Sequence, residues 1–409
     1  MSIERHWMKQ YHAVIAFTAM LILMVSNGMI LSGLGPFRNP LIAEFGWTAK
    51  DVALGDSITF FMLGAIAPFM GVLIDRFGTR VLMQAGMLAL AGGYYLYGNI
   101  DTLAELYAIH VLFAIVLALA GLVPTVALVS RWFEASRGTA IGIALVGSSL
   151  ASFVFPPLAE KWLIPTYGWR LAFQYEALAA LLGFVLVVLL VRSTPGDRGL
   201  KPYGSRDAAP PRAEDLPGLS VAETVRTANF WILGGCAFLT FFAMLGTLYQ
   251  LPIYLKSIGV PAVSSGYMAM LGAALIGKFL FGWLADKLGP KRVFIANMTV
   301  MALGAAWLAL ASGPSVLPAL ALYGIGWGGL YTMLQLLTVQ SFGLRSTGKI
   351  MGLIAVFDCV GGGAGSFAMA AIFDATASYA PAFWLLSGMI VVATLAATQL
   401  RPHFAAAPR

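Results

Sequence analysis

The sequence predicts an all-α membrane protein with twelve transmembrane helices in two pseudo-symmetric six-helix halves. Three observations carry that expectation. Of 409 residues, 59% are hydrophobic and only 11% charged, against about 25% charged in a typical soluble domain. The apolar residues form runs near the roughly 20 residues a helix needs to cross the hydrocarbon core. Finally, one charged, glycine-broken phrase occurs twice. Gly71-Val-Leu-Ile-Asp75-Arg76-Phe-Gly78-Thr-Arg80 returns 211 positions on, Gly71 to Gly282, as Gly282-Trp-Leu-Ala-Asp286-Lys287-Leu-Gly289-Pro-Lys291-Arg292. A repeated loop between apolar runs implies a duplicated membrane chain.

The spans are expected near 13–37, 54–74, 81–99, 103–130, 137–159, 171–192, 228–255, 264–285, 291–311, 314–340, 349–374 and 381–400. The stretch 293–344 carries no charge and is divided at Ala311-Ser-Gly-Pro314, a turn signal. The first run has no small-residue cleavage site and reads as a span, not a removed leader. One long hydrophilic stretch, 193–226, separates six spans from six. The expected organisation is therefore a first bundle over 1–192, a linker over 193–226 with a short surface helix near 221–227, and a second bundle over 227–409. A second internal match supports the duplication: Gly138-Thr-Ala-Ile-Gly142 lies on Gly348-Lys-Ile-Met-Gly352, an offset of 210.

Charge position fixes an expected orientation. Arg5, Lys9, Arg76, Arg80, Arg131, Arg137, Lys287, Lys291, Arg292, Arg345, Lys349, the linker and the tail fall on one side, so both termini are placed in the cytoplasm of a cell inner membrane. The opposite loops carry Arg38, Lys50, Lys161, Arg170 and Lys256. The net charge of +7 thus belongs to loop topology, and no nucleic-acid partner is expected. Cys236 and Cys359 lie inside apolar runs and offer neither a disulfide framework nor metal spacing. The chain shows no catalytic set and no cofactor loop. The Gly361-Gly-Gly-Ala-Gly365 run lacks the strand and the Lys-Ser/Thr of a phosphate loop and reads as close helix packing. An enzyme, a metal site or a cofactor is therefore not expected.

The repeated phrase resembles the loop signatures of the major facilitator superfamily. Asn39-Pro40-Leu-Ile-Ala-Glu44-Phe-Gly46-Trp47, Arg131-Trp132-Phe133, Arg137-Gly138 and Tyr167-Gly-Trp-Arg170 look like its monocarboxylate and oxalate/formate porters. The resemblance implies two bundles rocking about a central cavity, with spans 1, 4, 7 and 10 lining it and spans 2, 5, 8 and 11 at the bundle interface. It also implies that Gly71, Asp75, Arg76, Gly78, Arg80, Asp286, Lys287 and Arg292 are conformational loop residues.

Charges inside the spans mark the expected site, because a charge in hydrocarbon costs at least a few kcal/mol. Lys278 lies eight residues before Asp286, about 12 Å from the loop at 1.5 Å per residue. Asp358 lies nine residues after Lys349, about 14 Å from the same side. Lys278 is expected to attract an anionic group and Asp358 to carry a coupling proton; an ion pair that merely locks the second bundle is the structural alternative. The resemblance adds that Lys278 matches the cation of oxalate-type porters and that Trp327 and Tyr331 match their aromatic pair. Asp358 stands where those porters have a second cation, which disfavours a dianion. Tyr331 and Gln335 share a helix face, and with Trp327 and Asn27 they complete the expected substrate contacts. Tyr249 and Gln250 are candidates for an outer gate and His110 for packing.

The expected function is secondary active transport of a small organic, monocarboxylate-like anion by alternating access, coupled to protons, in a protein acting as a monomer in the bilayer. The alternatives are proton-driven efflux of amphipathic compounds, a zwitterion carrier, or a membrane sensor without flux.

Overall fold

The structure is a computed structural model and describes residues 2–134, 137–205, 218–260, 263–343 and 345–401, which are helical with short connections. Ten continuous runs are long and apolar enough to cross a membrane. Two of them, Ala49–Tyr97 and Thr139–Leu190, hold 49 and 52 residues. A 49-residue helix would be about 74 Å long, more than twice the roughly 30 Å hydrocarbon core. Each is broken where the lengths require it, at Gly78 (φ 75°, ψ 156°) and at Gly168 (φ 78°, ψ 163°). That backbone region is essentially closed to residues with a Cβ, so glycine turns one rod into two. Ten runs thus give twelve spans.

We label these α1 (Ser2–Gly28, continued by a π-helical turn over Met29–Gly33), α2 (49–77), α3 (79–97), α4 (Leu103–Ala120 and Leu122–Trp132), α5 (137–167) and α6 (169–190). The second series is α7 (Ala228–Ser257), α8 (Val263–Leu288), α9 (Pro290–Leu310), α10 (Val316–Gly328 and Leu330–Phe342), α11 (Thr347–Thr376) and α12 (Ala380–Thr398). The helix divide expected at 311–314 is present, with a 3-10 turn over Gly313–Ser315. The second span starts earlier than expected, at Ala49, because the Asp51 carboxylate caps it by accepting from the Thr48 N–H (2.8 Å) and hydroxyl (2.7 Å).

By packing, the chain divides into one unit of Met1–Phe45 and Ile66–Ala209 and another of Gly46–Ala65 and Pro210–Arg409. In the first, α1 packs on α5 and α6, and α3 on α4 and α6. In the second, α7 packs on α11 and α12, and α9 on α10 and α12. The same pairing in both is the three-dimensional form of the sequence repeat. The start of α2 joins the second unit through the Ser57 hydroxyl, which donates to the Gly363 carbonyl (2.6 Å), and through Phe60, which stands edge-on to Tyr249. The glycine run does what its composition implied. Gly361 and Gly365 leave no room for a Cβ beside the Phe238 and Phe242 carbonyls of α7.

The repeated phrase folds alike in both units. Gly78 and Gly289 share the same backbone region (φ 75° and 83°). Two residues later a cation caps the last helix of its own unit. The Arg80 guanidinium donates to the Val188 carbonyl (2.7 Å), and the Lys291 ammonium donates to the Thr398 (2.7 Å) and Leu400 (2.8 Å) carbonyls. Carbonyls at a helix C-terminus lack partners within the helix, and a cation also suits the negative end of the helix dipole.

Both ends of the linker are held in the same manner. The Tyr203 N–H donates to the Trp132 carbonyl (2.8 Å) at the end of α4, and the Leu219 N–H donates to the Phe342 carbonyl (2.8 Å) at the end of α10. The expected surface helix is present as Val221–Thr224, capped by Ser220 and Glu223. Hydrogen bonds from the Ser220 backbone and hydroxyl hold the Glu223 carboxyl below the usual range.

Gly78→Ala is expected to lower stability by about 1–3 kcal/mol, the cost of forcing a Cβ into this backbone region. Its Cβ would also stand 2.7 Å from the Ser193 hydroxyl that accepts the Arg80 N–H. Gly71→Ala, which meets nothing within 4 Å, should leave the thermal melt of the solubilised protein unchanged. Equal melts for the two variants would remove Gly78 as a required hinge.

Candidate functional site

The site in the second unit is built by glycine. Tyr323-Gly324-Ile-Gly326-Trp327-Gly328-Gly329 presents a small-residue face that lets backbones touch. Gly324 meets the Met270 carbonyl, Gly328 meets the Ala274 carbonyl and the Lys278 backbone nitrogen, and Gly277 of α8 meets the Ile325 carbonyl. α8 and α10 therefore run backbone to backbone over this stretch. Lys278 sits beside Gly328, one residue from Trp327 and three from Tyr331. All three of those side chains, with Gln335, are partly buried. The Tyr331 phenol is hydrogen-bonded with Gln335 and lies in the electrostatic field of Asp358. Asp358 is 7% exposed, and its Oδ1 is buried with no hydrogen-bond partner among the described residues. The structure thus brings Tyr331 and Gln335 of α10 near Asp358 of α11, and the backbone of Lys278 on α8 against Gly328, next to Trp327.

Asn27 belongs to the first unit. It stands at an interruption of α4, where Gly121 leaves helical geometry (φ −88°, ψ −146°). The Asn27 Oδ1 faces the Cα of Gly121 and is buried with no hydrogen-bond partner among the described residues, while the neighbouring Ser26 hydroxyl donates to the freed Ala120 carbonyl (2.7 Å). His110 faces the Tyr97 hydroxyl (3.4 Å) and packs edge-on against Phe113. Gln250 is tied to Ser366 (3.3 Å to its carbonyl) and accepts from the Tyr379 hydroxyl (2.8 Å).

The loop residues divide by contact. Asp75 pairs with Arg131 (3.0 Å), Arg76 lies over the Phe77 ring, and Lys287 lies over Trp283 (3.8 Å). Arg292 is exposed. The capping contacts are made by Arg80 and by Lys291, the second of which is outside the expected set. The Asp286 side chain lies outside the described residues.

Sequence reading placed two charges inside the spans; the structure buries more. Asp56 in α2 is 1% exposed and accepts from the Ser366 hydroxyl (3.0 Å). Glu176 in α6 is 2% exposed, and neither carboxylate oxygen has a hydrogen-bond partner among the described residues. Arg38, expected in a loop, is buried at 3% exposure. Asp56 lies just inside the expected second span, two residues from its start. Glu176 was legible as a lone acid inside a span. Arg170, in the opposite loops, gathers Glu44 (3.1 Å), Asp101 (2.8 Å) and the Ile100 carbonyl (2.9 Å), and so clamps the loops of the first unit.

An all-helical chain of twelve spans with an internal repeat, and with charged and aromatic groups gathered inside its bilayer-crossing helices, defines a polytopic membrane transporter. The sequence model of the Major Facilitator Superfamily matches residues 20–366, and the chain belongs to that superfamily. It is therefore a secondary transporter and not an enzyme. Among its relatives is monocarboxylate transporter 13 of Bos taurus, 27% identical with 92% of this chain and 86% of the relative covered. Another is the oxalate:formate antiporter of Oxalobacter formigenes, 26% identical with 81% and 78% covered. The structure is similar to the nucleoside transporter NupG, with a TM-score of 0.72 at 11% identity and 95% and 99% covered. It is also similar to a bacterial homolog of the human lysosomal transporter Spinster, with a TM-score of 0.67 at 17% identity and 95% of each chain covered. These likenesses carry the fold; the substrate is a separate question.

Proposed function

We propose that this transporter moves a small organic monoanion together with a proton by alternating access. In this reading Lys278 binds the carboxylate, Trp327, Tyr331 and Gln335 line the site, Asn27 contributes from the first half, and Asp358 carries the proton. The single observation that carries the proposal is Asp358: a carboxyl inside a spanning helix, nearly without exposure, with one buried oxygen that has no hydrogen-bond partner among the described residues. Neutral carboxyls are far cheaper to bury than carboxylates, so a group that must cross between aqueous sides is suited to cycle between the two. Relatives named for monocarboxylate and for oxalate and formate support the substrate class. With one cation and one acid in place of two cations, a dianion fits poorly.

The proposed frame is two halves, 1–192 and 227–409, joined by 193–226, acting as a monomer in a cell inner membrane with both termini cytoplasmic. Asp75, Arg76, Arg80, Asp286, Lys287 and Arg292 would reset as the halves rock about Gly71 and Gly78.

Reconstituted protein with an imposed pH gradient tests this. Radiolabelled lactate, pyruvate and acetate are offered from the acidic side, with empty liposomes as control. Protein-dependent accumulation of at least one of them is expected. Extrusion of an amphipathic dye with no carboxylate uptake would instead establish export. Ligand-induced thermal stabilisation without flux would establish sensing.

A further inference from the structure

The opening of α10 at Gly329 has a specific cause. In a continuous helix the Leu330 N–H would donate to the Gly326 carbonyl, four residues back. The side chain of Asn297, on α9 and fully buried, lies between these two groups. With its amide turned to satisfy both, the oxygen accepts from the Leu330 N–H (2.9 Å) and the nitrogen donates to the Gly326 carbonyl. A side chain inserted into the helical ladder is a recognised source of a kink. The neighbourhood allows nothing larger, because a Cβ on Gly329 would collide with Asn297 and Phe281, and one on Gly326 would collide with Met301. The opened rung encloses Trp327 and Gly328 and is followed at once by Tyr331. On its other side, Gly328 rests on the backbone of Lys278.

We infer that Asn297 is a positioning residue for the substrate site. By replacing one backbone hydrogen bond with two of its own, it holds α10 open and sets the angle between Trp327 and Tyr331 over Lys278. Its hydrogen bonds run to the backbone of Gly326 and Leu330. The inference rests on the reading of Lys278, Trp327 and Tyr331 as that site. Without the amide the rung closes, α10 straightens, and Trp327 turns relative to Lys278.

Two variants test this: Asn297→Leu, of similar size without polar atoms, and Asn297→Asp, of the same shape with an acceptor for the Leu330 N–H. The first readout needs no substrate. In protein labelled with 5-fluorotryptophan, the Trp327 resonance is assigned with Trp327→Phe among the ten tryptophans. Asn297→Leu is expected to move that resonance beyond its linewidth and leave the other nine in place, with Asn297→Asp closer to wild type. The second readout is proteoliposome uptake of the carboxylate that wild type carries best. KM is expected to rise about tenfold or more in Asn297→Leu while Vmax falls less than threefold. A stationary Trp327 resonance overturns the inference, and so does a moved resonance with KM unchanged. If wild type carries no carboxylate, the proposed function fails on its own, and the fluorine spectra still decide whether Asn297 places Trp327.

Discussion

Lys278→Met is expected to abolish protein-dependent uptake of a monocarboxylate while leaving the protein folded. Methionine keeps the length and apolar stem of the side chain and removes only the ammonium. Removing one member of a buried charge interaction destabilises, so the melting temperature is read beside uptake. The substrate should not tolerate the change. A charge-assisted contact to a carboxylate in a site shielded from water, once truncated, costs about 2–5 kcal/mol, which corresponds to a loss of roughly 30-fold to several thousand-fold in binding. Lys278→Arg preserves the charge but is expected to recover only part of the activity, since the wider guanidinium must fit where the α8 and α10 backbones touch at Gly277 and Gly328. Uptake by Lys278→Met within about threefold of wild type, at equal protein content and equal melting temperature, would sink the assignment of Lys278 as the anion site.

Much of this architecture was legible because membrane insertion writes it locally. A span must be long and apolar whatever it packs against, so counting runs gave the helices. The two places where a single helical run hides two spans, at Gly78 and Gly168, were marked by glycine. Lys278, Asp358, Tyr331 and Gln335 were legible for the same reason, since polar groups stand out in an apolar run. What was illegible depends on contact between distant segments. Nothing in the sequence ties Asn297 to the rung between Gly326 and Leu330, although four glycines crowded into 324–329 signalled that something approaches α10 closely. The grouping of 46–65 with the second unit was hidden likewise, because it arises from hydrogen bonds such as Ser57 to Gly363. The roles of Arg80 and Lys291 as caps of α6 and α12 needed the packing of each unit, whereas the charge repeat alone suggested only a switch.

Asp358→Asn is expected to separate movement of the substrate from its energy source. Asparagine has the shape of the protonated acid and cannot release a proton. If Asp358 must be neutral for the loaded carrier to reorient, and must lose its proton for the empty one to be reset, the variant is fixed in the loaded-competent form. It should therefore exchange internal for external substrate at a rate comparable to wild type. In contrast, it should show no net accumulation under a pH gradient. The size of the effect is set by the coupling: one proton per monoanion at a gradient of one pH unit supplies about 1.4 kcal/mol, a tenfold concentration ratio. Wild type should approach tenfold and Asp358→Asn should remain near one. Because a proton and a monoanion together carry no charge, a membrane potential imposed with potassium and valinomycin should leave wild-type accumulation unchanged. Gradient-driven accumulation that persists in Asp358→Asn would remove Asp358 from the coupling path. The search would then move to Glu176 and Asp56, the two other carboxyls buried among the described residues.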